Sequence, residues 1–322
     1  MRHFIKPNVV ISKCLGFAKC RYNGDIIIDY VVEKLKPFVN FIPVCPEVEI
    51  GLGVPREPLR LIWDKATLHL YQPATKKDFT HEMELFIERY LSSLSEIDGF
   101  ILKYRSPSCG ISGVKIYNGF HPDARATQGR GFFGRAVLER FNTKAIEDEG
   151  RLKNFTIREN FFTKLFTLAS FRVTKKHQKI KELIRFHTIN KLLFMAYSQV
   201  KLNELGRIVA NYQKGRVDIV FSNYEKVLYQ LLARMPTFKS WINVLLHAFG
   251  GISAQLNKKE RAFFLNLIEE YRDERIPLSV LIKIIEGWAV RFGDSYLLEQ
   301  TFLNPYPKEL IEITDSGKGR NR

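Results

Sequence analysis

The stretch 99-GFILKYRSPSCG-110 decides how the first half of the chain is read. An apolar run of strand character gives way to a loop that begins at Arg105. In that loop Pro107 excludes a helix interior, and Cys109 sits among small residues beside a base that never loses its charge. Two more segments follow the same plan: 8-NVVIS-12 is a β-branched run ending at a polar loop, and 38-FVNFIPVCP-46 is halted by proline. Between the second and third lies 78-DFTHEMELFIERYLSSLSE-96, where Phe79, Met83, Phe86, Ile87, Tyr90, Leu91 and Leu94 recur at steps of three and four residues. That spacing predicts an amphipathic helix. Strands alternating with helices imply an α/β domain on a largely parallel sheet, whose functional groups lie in loops beyond the carboxyl ends of its strands.

Cys14, Cys45 and Cys109 each fall a few residues after one of these strands, so the three are expected to converge at one sheet edge. Their loops, "SKCLGFAKCRYNG", "VCPEVEIGLGVPREP" and "RSPSCGISG", are rich in Gly, Pro and Ser, which let backbone amides approach a bound group. Arg21, Arg56 and Arg105 lie nearby as thiolate-stabilising cations. With Cys20 the cysteines number four, all within the first 109 residues and without a CxxC pair, which argues against a zinc ribbon. The residues alone leave two readings open: a shared metal or cluster site, or four inert thiols. The segment 51-GLGVPREP-58 is not a dinucleotide loop, because Pro55 and Pro58 stand where a third glycine would open a helix.

The 322 residues suffice for two domains, and 45% apolar with 26% charged residues is ordinary globular composition. No stretch approaches the roughly 20 uncharged apolar residues of a membrane span, and the opening "MRHFIKPNVVISKC" lacks a signal-peptide core, so a cytoplasmic protein is expected. The net charge of +16 is uneven: residues 1–150 hold 21 Lys and Arg against 18 Asp and Glu, the remainder 29 against 16. A boundary near 147-EDEGRLKN-154 is expected, giving domains 1–150 and 151–322.

Taken together, "ISKCLGFAKCRYNG", "PVCPEVEIGLGVPREP" and "SPSCG" resemble, in this order, the motifs of the bacterial 2-thiouracil desulfurase family. The resemblance implies a [4Fe-4S] cluster on Cys14, Cys45 and Cys109, with one iron free of protein ligands. It implies non-redox removal of sulfur from a thiolated pyrimidine base such as 2-thiouracil: sulfur binds the open iron and water attacks the carbon. Cys20, in "KCRYNG", is read as a neighbouring thiol; as a fourth ligand it would close the cluster. Glu47, two residues after Cys45, is the expected general base, its pKa raised by partial burial; the bland alternative is a loop carboxylate paired with Arg56. Ser106 is preferred to Ser108 as a donor to the reacting group. Arg21, Tyr22 and Asn23 line the pocket or simply form a turn ending at Gly24, and Asp29 is a pocket carboxylate or a helix cap.

From residue 159 onward apolar residues recur at helical spacing, separated by Gly, Pro and charged breaks, which reads as an all-α domain. Pro277 is placed at a helix start and Gly250-Gly251 at a helix end. "FHTINKLLFMAYS", "NVLLHAFGGI", "RIPLSVLIKII" and "NPYPKEL" resemble the YbgA-like domain often fused after this desulfurase domain. His177, His187 and His247 are weak metal-ligand candidates. Lys175, Lys176, Lys179, Lys181 and Arg185 in 172-RVTKKHQKIKELIRFH-187 form a basic helical stripe that suits tRNA or another polyanion, or is a solvated face. The alternative function is therefore a tRNA- or nucleic-acid-associated protein with a structural or sensory cluster, or a desulfidase acting on thiolated nucleosides or tRNA.

Overall fold

The computed structural model describes residues 3–121, 123–212 and 216–312. These form two compact units. One contains the described residues up to Ala169 together with those from Tyr306 on; the other is Ser170–Pro305. The division falls beyond the 147–154 charge cluster, because that cluster closes a buried strand of the first unit, with Asp148 fully enclosed.

The first unit opens with β1 (Asn8–Ser12), α1 (Tyr30–Leu35), β2 (Asn40–Val44) and the short α2 (Pro46–Glu49). Next come β3 (Arg60–Asp64), β4 (Thr67–Gln72), β5 (Lys77–Asp78) and α3 (Thr80–Ser93). It continues through β6 (Gly99–Leu102), β7 (Val114–Tyr117), β8 (Ala126–Gly129), α4 (Phe132–Arg140) and β9 (Ala145–Asp148). Four strands make one wholly parallel sheet in the order β2-β1-β6-β9. The expected parallel sheet is this one, and the helix expected over 78–96 is α3. Val9, Val10 and Ile11 of the inner strand β1 have no exposed surface, and burying each contributes about 1.5–3 kcal/mol.

A second sheet, β5-β4-β3-β7-β8, is mixed: β3 pairs parallel with β7, and the remaining pairs are antiparallel. It lies outside the sequence reading. Its β3–β4 hairpin turns on Lys65 and Ala66 with φ of 44° and 66°, left-handed positions usually filled by Asn and Gly. The two sheets and α3 and α4 share a core containing Val10, Leu61, Leu70, Phe86, Phe100 and Phe133.

Among the described residues nine helices follow: α5 (Phe155–His177), α6 (Ile180–Ile189), α7 (Lys191–Tyr197), α8 (Gln199–Ala210), α9 (Val217–Leu231), α10 (Phe238–Ile252), α11 (Lys258–Arg272), α12 (Leu278–Phe292) and α13 (Ser295–Glu299). The all-α reading of this region holds. Pro277 immediately precedes α12, where its missing N–H costs nothing. Gly250 and Gly251, however, end no helix: α10 runs through them to Ile252. The basic stretch 172–187 is also not one stripe. Gln178, with φ 51°, breaks it between α5 and α6, and Lys175 is paired with Glu225 at 2.7 Å. Among the described residues no helix is long and apolar enough to cross a membrane.

β6 begins where the backbone packs closest. A side chain on Gly99 would meet the Ala145 carbonyl at 2.6 Å and Leu165 at 2.8 Å. We expect Gly99→Ala to lower stability by about 2 kcal/mol, read as a reduced urea midpoint with an unchanged denaturant slope.

Candidate active site

Strands β2, β1 and β6 are neighbours and run in the same direction, so the loops that follow them meet at one edge. Two hydrogen bonds fasten these loop starts: Lys13 N–H donates to the Val44 carbonyl at 2.8 Å, and Lys103 N–H donates to Ser12 Oγ at 2.8 Å. The loop after β1 folds back as Ile27 N–H donates to the Cys14 carbonyl at 2.8 Å.

The cysteines meet there. Cys20 lies within thiol hydrogen-bonding reach of both Cys14 and Cys45, the Cys45 thiol donates to the Cys20 carbonyl at 3.8 Å, and Cys109 lies near Cys45 and Glu47. None is in a disulfide; Cys20, Cys45 and Cys109 are buried and Cys14 is half-buried. The Cys14 hydrogen bond, with burial adding to it, holds the Cys20 thiol up at about 11. Hydrogen bonding to Cys20 and then burial raise Cys45 far above the ordinary thiol range. Burial pushes Cys109 up to about 12, against the opposing hydroxyls of Ser12 and Ser108. Cys20 is thus part of the thiol cluster and joins two of its members.

Glu47, in the first turn of α2, stands beside the thiols in a defined hydrogen-bond frame. Arg56 donates to its Oε2 twice, from Nη2 at 2.6 Å and Nε at 2.9 Å, and a third donor, Nη1, reaches the Cys20 carbonyl at 3.0 Å. Ser108 donates to the other oxygen, Oε1, at 2.6 Å. The Ser106 and Ser108 hydroxyls are 2.9 Å apart; since Ser108 gives its proton to Glu47, Ser106 is the donor of that pair. Ser106 Oγ in turn accepts from the amides of Cys109 at 3.1 Å and Ser108 at 3.3 Å. A hydrogen-bond line therefore runs Ser106, Ser108, Glu47, with Ser108 and not Ser106 on the carboxylate. The Arg56 pairing weighed as the bland reading of Glu47 is present, but it occupies only one of the two oxygens.

The other sequence candidates lie differently. Asp29 caps α1, its Oδ1 accepting from Val31 N at 3.0 Å and Val32 N at 3.2 Å, so this carboxylate serves as a helix cap and not a pocket group. Arg21 pairs with Asp25 at 3.8 Å, Asn23 hydrogen-bonds the same carboxylate, and Gly24 at φ 77° completes the turn. Tyr22 joins the frame only by its carbonyl, which accepts from Arg56 N at 2.7 Å. The Arg105 guanidinium lies over the Tyr104 ring. In the helical unit His177 pairs with Glu182 at 2.6 Å.

Two glycines that the sequence reading passed over hold the Cys109 loop. Gly131 and Gly134, at the start of α4, donate their amides to the carbonyls of Gly110 at 2.8 Å and Ser108 at 3.0 Å. A side chain on Gly131 would meet the Ser108 carbonyl at 2.5 Å, and one on Gly134 the carbonyls of Gly110 and Cys109 at 2.5 and 2.6 Å. The signal was "GRGFFG" (129–134), glycines spaced to leave backbone exposed at a helix start.

Residues 9–149 match the family model described as 2-thiouracil desulfurase. The uncharacterized protein YbbK of Bacillus subtilis (strain 168) is 36% identical over 121 residues, which are 34% of this chain and 77% of that protein. The chain belongs to the 2-thiouracil desulfurase family. Residues 191–307 match a second model, described as a protein of unknown function, DUF1722. In this desulfurase-family chain a stretch of 156 residues is 27% identical to the uncharacterized protein YbgA of Escherichia coli (strain K12), covering 48% of the chain and 92% of that relative. It is also similar to a solved structure described as [4Fe-4S]-dependent thiouracil desulfidase TudS, at 30% identity, 46% coverage of this chain, 93% of that one and a TM-score of 0.37.

Arg56 is almost wholly enclosed, and its removal leaves the Glu47 carboxylate without its cation. Breaking one side of such a pair costs about 3–5 kcal/mol, so Arg56→Ala is expected to lower the urea midpoint strongly. The combined Arg56→Met, Glu47→Gln protein should recover most of that loss in the same titration.

Proposed function

We propose that this protein is a [4Fe-4S]-dependent desulfurase that removes sulfur hydrolytically from a small thiolated pyrimidine base of the 2-thiouracil type, in a reducing, cytoplasmic setting. The observation that carries the reading is the Glu47 carboxylate, fixed by Arg56 and Ser108 against the thiol cluster of an established desulfurase family.

The donor set fits the cluster. Its members are soft sulfur ligands, as iron–sulfur groups require, and they come from three separate loops. Among the described residues no three His, Cys, Asp or Glu side chains gather round one point as a single ion would need. Ligands of a cluster each bind a different iron and need not share such a point. Cys14, Cys45 and Cys109 would hold it, with Cys20 as the neighbouring thiol. When bound, the cluster supplies a Lewis-acidic iron without a protein ligand, suited to a thiocarbonyl sulfur.

The chain's own groups supply the acid–base chemistry. Glu47 Oε1, the oxygen that Arg56 leaves free, is the site that takes the proton of the attacking water. Ser108, hydrogen-bonded to that oxygen, holds it in position, and Ser106 fixes the Ser108 hydroxyl from the loop side, so the proton taken from water stays on Glu47. Arg56 keeps the carboxylate from rotating away. The half-exposed Tyr22 gives the loop a ring on which a flat base can rest.

Anaerobic reconstitution with iron and sulfide, followed by free 2-thiouracil and measurement of released sulfide and uracil, tests the reading. Wild type is expected to release both in equal amounts. Cys109→Ser should bind little iron, and Cys20→Ser should keep its iron. Glu47→Gln should keep iron and lose about 10²–10⁴-fold in turnover. Absence of sulfide from every free thiolated base would overturn the proposal.

A further inference from the structure

The helical unit contains a cleft of about 760 Å³ that the desulfuration reading does not use. It is lined from α6, α7, α8 and α10, with His187, Lys191, Asn203, Arg207, Asn243 and His247 among its polar walls. No carboxylate lines it. The cations Lys191 and Arg207 form no ion pair among the described residues, so their charge is directed to whatever enters.

The least exposed polar group of the lining is a hydrogen-bond donor. His187 Nδ1 lies 3.1 Å from the hydroxyl of Tyr224, a residue without exposed surface. A buried phenol keeps its proton, and giving it to Nδ1 satisfies both partners; the proton of the neutral ring then sits on Nε2. Burial, assisted by the Lys191 charge, pushes the ring's pKa down to about 4, so it stays neutral in ordinary buffer. Nε2 is on the side of Gly206, where an added Cβ would stand at an ordinary 3.7 Å. Packing therefore does not demand glycine at this position inside α8, although glycine is among the poorest helix formers. Its effect is to leave Nε2 uncovered toward the cleft.

Two unpaired cations, an imidazole N–H and the amides of Asn203 and Asn243 match a group with about two negative charges and several acceptor oxygens. The volume exceeds that group and suits a small organic body against Met195 and Leu202. We infer that this cleft binds a small phosphomonoester of nucleotide size, its phosphate on Lys191 and Arg207 and its body over the apolar floor.

The test is titration calorimetry on the full chain, using uridine 5′-monophosphate, ribose 5-phosphate, uridine and a single-stranded RNA oligomer as separate probes. At least one phosphomonoester should bind, with uridine silent; which of the two binds tells whether the base is read. Lys191→Ala and Arg207→Ala should each weaken that binding about tenfold, equal to ~1.4 kcal/mol, without moving the melting temperature. Gly206→Ala should weaken it while leaving the fold equally or more stable. The inference is overturned if neither phosphomonoester binds at millimolar concentration, if the Lys191 and Arg207 variants bind like wild type, or if only the RNA oligomer binds. These readouts are independent of sulfide release.

Discussion

Parallel pairing of three adjacent strands is the constraint on which the site depends. β1 lies between β2 and β6 and exchanges backbone hydrogen bonds with both, so their carboxyl ends are brought level. Cys14 and Cys45 follow two of these ends within two residues, and Cys109, seven residues beyond the third, is brought in by a loop held on α4. β1 itself is fixed by complete burial of Val9, Val10 and Ile11. A one-residue slip would reverse which side chains face each layer.

On that frame, polar contacts decide the chemistry. Arg56 commits two N–H groups to a single carboxylate oxygen and thereby fixes which oxygen of Glu47 remains for Ser108. The same guanidinium holds the Cys20 carbonyl, so one cation connects the base to the thiol loop. The Cys109 loop is pinned from the other side by α4, whose two glycines accept no side chain without a collision. Such a site is built more from backbone contacts than from side-chain packing, and its tolerance to substitution should be low beyond the residues that carry chemistry.

The helical unit shows how a different composition produces a different kind of surface. Its interior is filled by packed rings such as Phe171, Phe186 and Tyr224, of which Phe171 and Tyr224 are stacked. Cationic and amide side chains are left around an open cleft.

The amino-acid sequence by itself determined the alternation of strands and helices around the first sheet, the amphipathic face of α3 and the positions of Cys14, Cys45 and Cys109 after strands, because periodicity and proline act locally. It also carried the three motifs by which the family is legible. It did not disclose the β3–β4 hairpin, since Lys65 and Ala66 occupy a turn that normally advertises itself with Asn and Gly. Nor did it mark α10 as continuing through Gly250 and Gly251, because helix packing outweighs the propensity of two residues. Only the tertiary structure placed Cys20 beside two other thiols and put Ser108 ahead of Ser106 on Glu47. Each of those outcomes is set by distances between loops far apart in the chain, and distance across a fold is not a property of local sequence.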